Sequence, residues 1–292
     1  MKSRRFLKNT AKLLHIIKKH SFLIIFIILV FFQGGCAPTY PKERLPESLV
    51  DICKKKHDVD VQVKLIGKNI VVFVPLDELF DINSDILPNA VNKIENVILS
   101  TSRVLFSTDA DVDFYTIIAA DVNVTAAEVI LIRCMDDVYK FVHGWIGREE
   151  YRNRMLWQAN YNIELIRDSG FDFNIEEMTM PVFLAEQIAQ RTNLVLNSAI
   201  VHKAKIAGTY SEKHKMFFFS IHVNDNTKFT KVYAPIIFNI ADFVLSQYKF
   251  MDFEQLVAKN QALKNTVILD KDDLKQYRDV DVDQLLTLPY YD

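Results

Sequence analysis

Glycine is scarce in this chain, and its scarcity removes several chemistries at once. Of the 292 residues only seven are glycine, and after residue 36 they are Gly67, Gly144, Gly147, Gly170 and Gly208. A phosphate-cradling loop or a dinucleotide fingerprint needs several glycines at fixed offsets, so that backbone can approach the ligand closely. No such set is present. No serine stands in a Gly-x-Ser-x-Gly elbow, so the common hydrolase signature is missing as well. Net charge is small overall, a formal −2. That figure hides an asymmetry: residues 1–36 hold seven of the 35 basic residues and no acid, leaving 28 basic against 37 acidic, or −9, beyond them. An acidic domain has no electrostatic attraction for a phosphate backbone, which excludes nucleic acid as the expected partner. What is abundant is phenylalanine (21) and tyrosine (11), within a composition that is half apolar and a quarter charged. Such a chain buries enough surface for one large or two modest domains.

A long apolar run is also lacking. The longest, Phe22 to Phe32, has eleven residues, roughly 16 Å as a helix and about half of a hydrocarbon core. It follows a basic stretch that includes Arg4, Arg5, Lys18 and Lys19, and it precedes Gly34-Gly35-Cys36. Basic region, short apolar region and small residues before a cut are the order of a secretory signal peptide, here 1–35. The segment Gln33-Gly34-Gly35-Cys36-Ala37-Pro38 resembles the lipobox of bacterial lipoproteins, departing from it at Gln33, where an apolar residue is usual. The resemblance covers about the first forty residues. It implies cleavage before Cys36, a diacylglyceryl thioether on Cys36, and a lasting tether to a membrane of the bacterial cell envelope. With Ala37 rather than Asp after the cysteine, it implies the outer membrane, facing the periplasm, in a Gram-negative cell. Pro38, Pro41 and Pro46 make 36–46 read as the lipidated cysteine followed by a stiff spacer of about 30 Å at most.

Beyond the spacer the periodicities predict an α+β protein of two small lobes, 47–168 and 169–292, each with amphipathic helices packed on a mainly antiparallel sheet. The expected elements of the first lobe are a helix over 47–56, a hairpin over 59–74 turning at Gly67-Lys68-Asn69, a helix over 88–106 and a strand over 112–120. The stripe Leu87, Ala90, Val91, Ile94, Val97, Ile98 and Leu105 marks the inner face of the second helix. For 127–133, Thr125 and Glu128 are spaced as a capping box, but the β-branched run Val129-Ile130-Leu131-Ile132 favours a strand. Residues 136–167 read as helical, with a break at Gly144 to Gly147. In the second lobe the pattern predicts a helix over 181–203, a strand over 216–223, a helix over 233–248 and a hairpin around Asn260 to Asn265. Both lobes thus place a long amphipathic helix before an aromatic strand, although the residues do not align.

Chemistry-bearing residues form no complete motif. Asp109, Asp111 and Asp113 alternate as in a calcium loop, but its required glycine and glutamate are replaced by Phe114 and Ala120. Asp279, Asp281 and Asp283 fail in the same way, with Gln284 and Tyr290. His202, His214 and His222 lack the i,i+4 spacing that presents two imidazoles to zinc, and His143 reads as partly buried near the helix break. No metal, cofactor or catalytic residue is assigned. Cys53 and Cys134 remain after Cys36, as an exported disulfide or as two separate core thiols. The densest aromatic and arginine segment offers a partner surface in Trp145, Arg148, Tyr151, Arg152 and Trp157, because such side chains dominate binding hot spots; inward aromatics with solvated charges is the plainer alternative. The expectation is therefore a membrane-tethered envelope lipoprotein that binds or scaffolds an envelope protein. An envelope enzyme on cell-wall or lipid substrates, and a small-ligand-binding lipoprotein with a pocket between its lobes, are the alternatives.

Overall fold

A computed structural model describes residues 39–124, 127–160, 177–198 and 205–286. The protein is α+β, built on two mixed sheets of five and four strands. In the first lobe, helix α1 (Leu45–His57) precedes a hairpin of β1 (Gln62–Ile66) and β2 (Asn69–Leu76). Helix α2 (Pro88–Leu105) then crosses to β3 (Phe114–Asp121), which pairs parallel with β2. Strand β4 (Glu128–Cys134) returns antiparallel, followed by short helices α3 (Met135–Val142) and α4 (Arg148–Asn153) and edge strand β5 (Leu156–Asn160).

The second lobe repeats this plan. Helix α5 (Met180–Ser198) precedes a hairpin of β6 (Ile206–Ser211) and β7 (Met216–Ile221). Helix α6 (Ala234–Tyr248) crosses to β8 (Gln255–Asn260), parallel to β7, and β9 (Asn265–Asp270) closes the sheet antiparallel. Each lobe thus orders helix, hairpin, helix, parallel strand and antiparallel strand, with one parallel pair at the same place. A parallel pair needs a crossover connection, which α2 and α6 supply. A 3₁₀ segment, Lys271–Tyr277, and a short helix α7 (Val282–Leu286) follow.

Sequence pattern and packing agree closely in the first lobe. On α2, Ala90, Ile94, Val97 and Leu105 are buried against β2 and β3, while Val91 sits at the solvent margin. Each fully buried Val, Leu or Ile contributes about 1.5–3 kcal/mol relative to exposure. Strand β3 is buried along its whole length, as the central strand between β2 and β4. Tyr115, Ile117 and Ala119 enter the helical core, while Ile118 and Ala120 join Val71 and Phe73 on the opposite face. The 127–133 segment is a strand, as its β-branched run predicts; Thr125 lies outside the described residues.

The second core is not confined to its own lobe. Phe114, Cys134 and Leu156 of the first sheet pack with Phe183, Phe217, Phe238 and other residues of the second. Helix α6 continues an Asn226–Lys228 turn and a π-helical turn, Phe229–Tyr233, in which Ala234 N bonds Phe229 O. Pro235 accounts for that wide turn, since its ring lacks an N–H and crowds the carbonyl four residues earlier. The whole stretch Asn226–Tyr248 is long and apolar enough to cross a membrane, but most of it is buried within this core.

Two expectations change. Residues 156–160, expected as helix, form β5; pairing with Ile132 through Glu128 overrides the local helical pattern, and 161–176 lie outside the described residues. The spacer expected through residue 46 ends sooner. Tyr40 N donates to Ser107 O, Lys42 N donates to Asp109 Oδ1, and Pro46 sits in the first turn of α1 behind a fully buried Leu45. Of the two readings open for Cys53 and Cys134, the separate core thiols hold: both are buried and free, one in each of the two large cores.

Candidate ligand-binding cleft

Helix α5 turns Phe183, Leu184, Ala185, Ile188, Ala189 and Leu196 into the core. That placement leaves Arg191, Leu194 and Val195, at three-four spacing, on a second stripe facing α6. Asn239, Ile240, Asp242, Phe243, Ser246 and Gln247 of α6 answer them, with the same spacing. Between the two stripes lies a cleft of about 980 Å³, to which Asn153 contributes from the end of α4 and Arg278 from beyond the 3₁₀ segment. Its wall is largely apolar, with a few polar groups among the aliphatic side chains, the usual make-up of a small-molecule site.

The polar groups are unequally satisfied. Arg278 donates from Nε and Nη2 to the two carboxylate oxygens of the buried Asp242, at 2.8 and 3.2 Å, so those charges neutralise each other. Arg191 has no such relation. Its Nε and Nη2 are buried and make no hydrogen bond, and the guanidinium carbon stands 5.3 Å from the centre of the Phe243 ring. Burial pulls the Arg191 guanidinium below its ordinary value, with Arg154 adding like-charge repulsion and Asp137, Glu150 and Tyr248 opposing both. A guanidinium nevertheless remains charged in proteins. Gln247 Oε1, also in the cleft wall, is a buried acceptor without a partner. Two unpaired guanidinium donors beside an aromatic face are equipped to hold a small anion with an apolar body.

Behind this wall the lobes are joined by a buried polar network. Asp137, in the first turn of α3, accepts from Arg154 Nη1 at 2.8 Å and from the Tyr248 hydroxyl. Arg154 also bonds Glu150, and its carbonyl accepts from Gln187 Nε2 on α5. One turn on, Gln190 accepts from Trp157 N and donates to Met155 O, both at 2.9 Å, capping the start of β5 as a neighbouring strand would. Burial raises the Asp137 carboxyl above its ordinary value against the pull of Tyr248, Arg154 and Lys140. Asp137 and Arg154 are both almost wholly enclosed, so this cluster links elements and does not face a substrate.

The residues singled out in the sequence fall in different neighbourhoods. Tyr151 turns inward, stacking on Phe141 at 4.3 Å and accepting from Arg133 Nη1 at 2.5 Å. Arg148 and Arg152 are exposed on α4. Trp157 is 49 % exposed on β5 and lines a shallow groove with α5 and β6. Trp145 is 68 % exposed and touches Tyr139 and His143, which is itself exposed rather than part-buried. Lys68 bridges Asp111 and Asp113, while Asp109 accepts from Lys42 N; Asp281 caps Gln284 N. His214 and His222 are exposed, and His202, like the signal segment and Cys36, lies outside the described residues. Among the described residues no group of three or more His, Cys, Asp or Glu is placed to hold a metal ion. Arg191 was not singled out, although it stands three residues after Ile188 and four before Val195, a charge on the flank of an apolar stripe. No protein-family model, curated protein or solved structure matches this chain.

Proposed function

We propose that the protein is an envelope lipoprotein, tethered through Cys36, that binds a small amphipathic anion in the cleft between α5 and α6. The observation that carries the reading is the pair of buried Arg191 donors, Nε and Nη2, that make no hydrogen bond in the wall of a cavity large enough for such a ligand. Charged donors held out of water without a hydrogen-bond acceptor are costly, and an incoming carboxylate or phosphate offsets that cost. Leu194, Val195, Ile240 and Phe243 supply the apolar lining for the remainder of the ligand. Cys36 supports the tether through the Gly34-Gly35-Cys36 pattern that follows the short apolar run. Tethering concentrates the site beside one membrane, which raises its effective concentration for envelope ligands.

Calorimetric titration with a panel of amphipathic carboxylates and phosphates tests the cleft. At least one class binds, and Arg191→Gln weakens it about 10- to 100-fold, the loss of charge-assisted hydrogen bonding. Equal binding by Arg191→Gln, with its fold shown intact by circular dichroism, would exclude Arg191 as the anion site.

A further inference from the structure

The point at which the chain joins the fold determines which face can meet the tethering membrane. Among the described residues, Tyr40 is the first that bonds into the fold, through its amide bond to Ser107 and its bridge to Thr108. Cys36 precedes it by four residues. Even a fully extended chain of that length reaches about 14 Å. A lipid on Cys36 therefore keeps the Tyr40–Ser107 corner beside the headgroup layer, with no room for the domain to stand clear of it.

That corner carries an aromatic surface. Phe106, next to Ser107, is 40 % exposed, and its ring lies 6.4 Å from Tyr139, which is 44 % exposed. Tyr139 in turn meets His143 at 4.1 Å and Trp145 at 5.7 Å. Val142, on the same short helix, is 60 % exposed. Single exposed apolar residues are ordinary, but a run of touching ones, Trp and Tyr among them, is the composition that settles at membrane–water interfaces. Arg44, Lys55, Lys56 and Asp51 line the groove beside Tyr40; with Lys55 paired to Asp51 at 2.7 Å, Arg44 and Lys56 leave it a basic excess within a domain that is acidic overall.

We propose that Phe106, Tyr139, Val142 and Trp145 form a membrane-docking face that seats in the headgroup region of the bilayer carrying the Cys36 lipid. The occupant is the lipid surface because the four-residue connection leaves that surface closer to this face than any other partner. Insertion of amphipathic rings at this depth is the interfacial mode of binding, and it fixes the orientation of the domain on its tether. The inference rests on the reading of Cys36 as lipidated.

The test uses the full lipidated protein in phosphatidylcholine vesicles with brominated acyl chains. The chain has two tryptophans, so Trp157→Phe leaves Trp145 as the reporter and Trp145→Phe leaves Trp157. Co-flotation reads the tether and quenching reads docking. The expected result is flotation of both variants, with Trp145 quenched at least twofold and Trp157 unquenched. Flotation with Trp145 unquenched overturns the docking face while leaving the tether intact. Failure to float overturns the tether, and the docking face with it.

Discussion

The Tyr248 hydroxyl donates a hydrogen bond to the buried carboxylate of Asp137, joining the last turn of α6 to the first turn of α3 across 111 residues of sequence. Arg154 completes the pair from the segment between α4 and β5. Burial, with the negative charge of Asp137 beside it, pushes the Tyr248 phenol far above its ordinary value, so this hydroxyl stays a donor. The arrangement makes one body of two lobes, because each side satisfies polar groups the other could not leave buried alone.

Breaking that pair from one side leaves a charge without its partner. Arg154→Ala is expected to cost about 3–5 kcal/mol, whereas Asp137→Asn combined with Arg154→Met recovers a substantial part of it. Tyr248→Phe, which removes one donor, is expected to cost about 1–3 kcal/mol. Urea denaturation of these variants, and of Asp137→Asn and Arg154→Met singly, measures these differences. Additive losses in the double variant would show that Asp137 and Arg154 are not coupled.

Gly208 marks a close approach of strand to helix. A Cβ there would stand 2.2 Å from the Ala185 carbonyl oxygen and 2.8 Å from its carbon. Since that neighbour is helix backbone, it cannot give way as a side-chain tip would. Gly208→Ala is expected to destabilise by about 1–3 kcal/mol or more as β6 is pushed off α5. Gly147→Ala meets nothing within 4 Å and serves as the control, changing stability by no more than about 0.5 kcal/mol. Midpoints of urea unfolding compare the two.

Burial pushes the Cys53 thiol up to about 11 and the Cys134 thiol up to about 12, the latter with help from the charge of Asp137. A raised value means that the folded state holds the proton more tightly. The stability this contributes is fully present below the ordinary thiol value of 9.0 and is lost as pH rises toward 11 and 12. The melting temperature should therefore fall progressively above pH 9. At pH 8 the two thiols should resist an aromatic disulfide reagent in the native protein and react fully in denaturant.

What the sequence made legible was local. The stretch from Val59 through β1 and the helix α2 announce themselves because burial follows their own two- and three-four-residue periods. Strand β6 does not, since Gly208 weakens its pattern; yet that glycine is required for α5 to lie on it. Residues 156–160 look helical alone and become a strand through pairing with β4 and the Gln190 cap, which no local period encodes. Arg191 shows why the cleft was hidden. Its position flanks an apolar stripe, but its lack of a partner depends on which side chains of α6 come to face it. Likewise Trp145 was evident as an aromatic, while its companions Phe106, at the end of α2, and Tyr139, on α3, come together only in the fold.

Intact-mass analysis of the protein isolated from its native envelope bears most directly on the tethered reading, from which both the ligand supply and the membrane-facing corner follow. The account predicts a chain starting at residue 36 with a diacylglyceryl group on its sulfur. A product that retains residues 1–35 and a free thiol at Cys36 would contradict it.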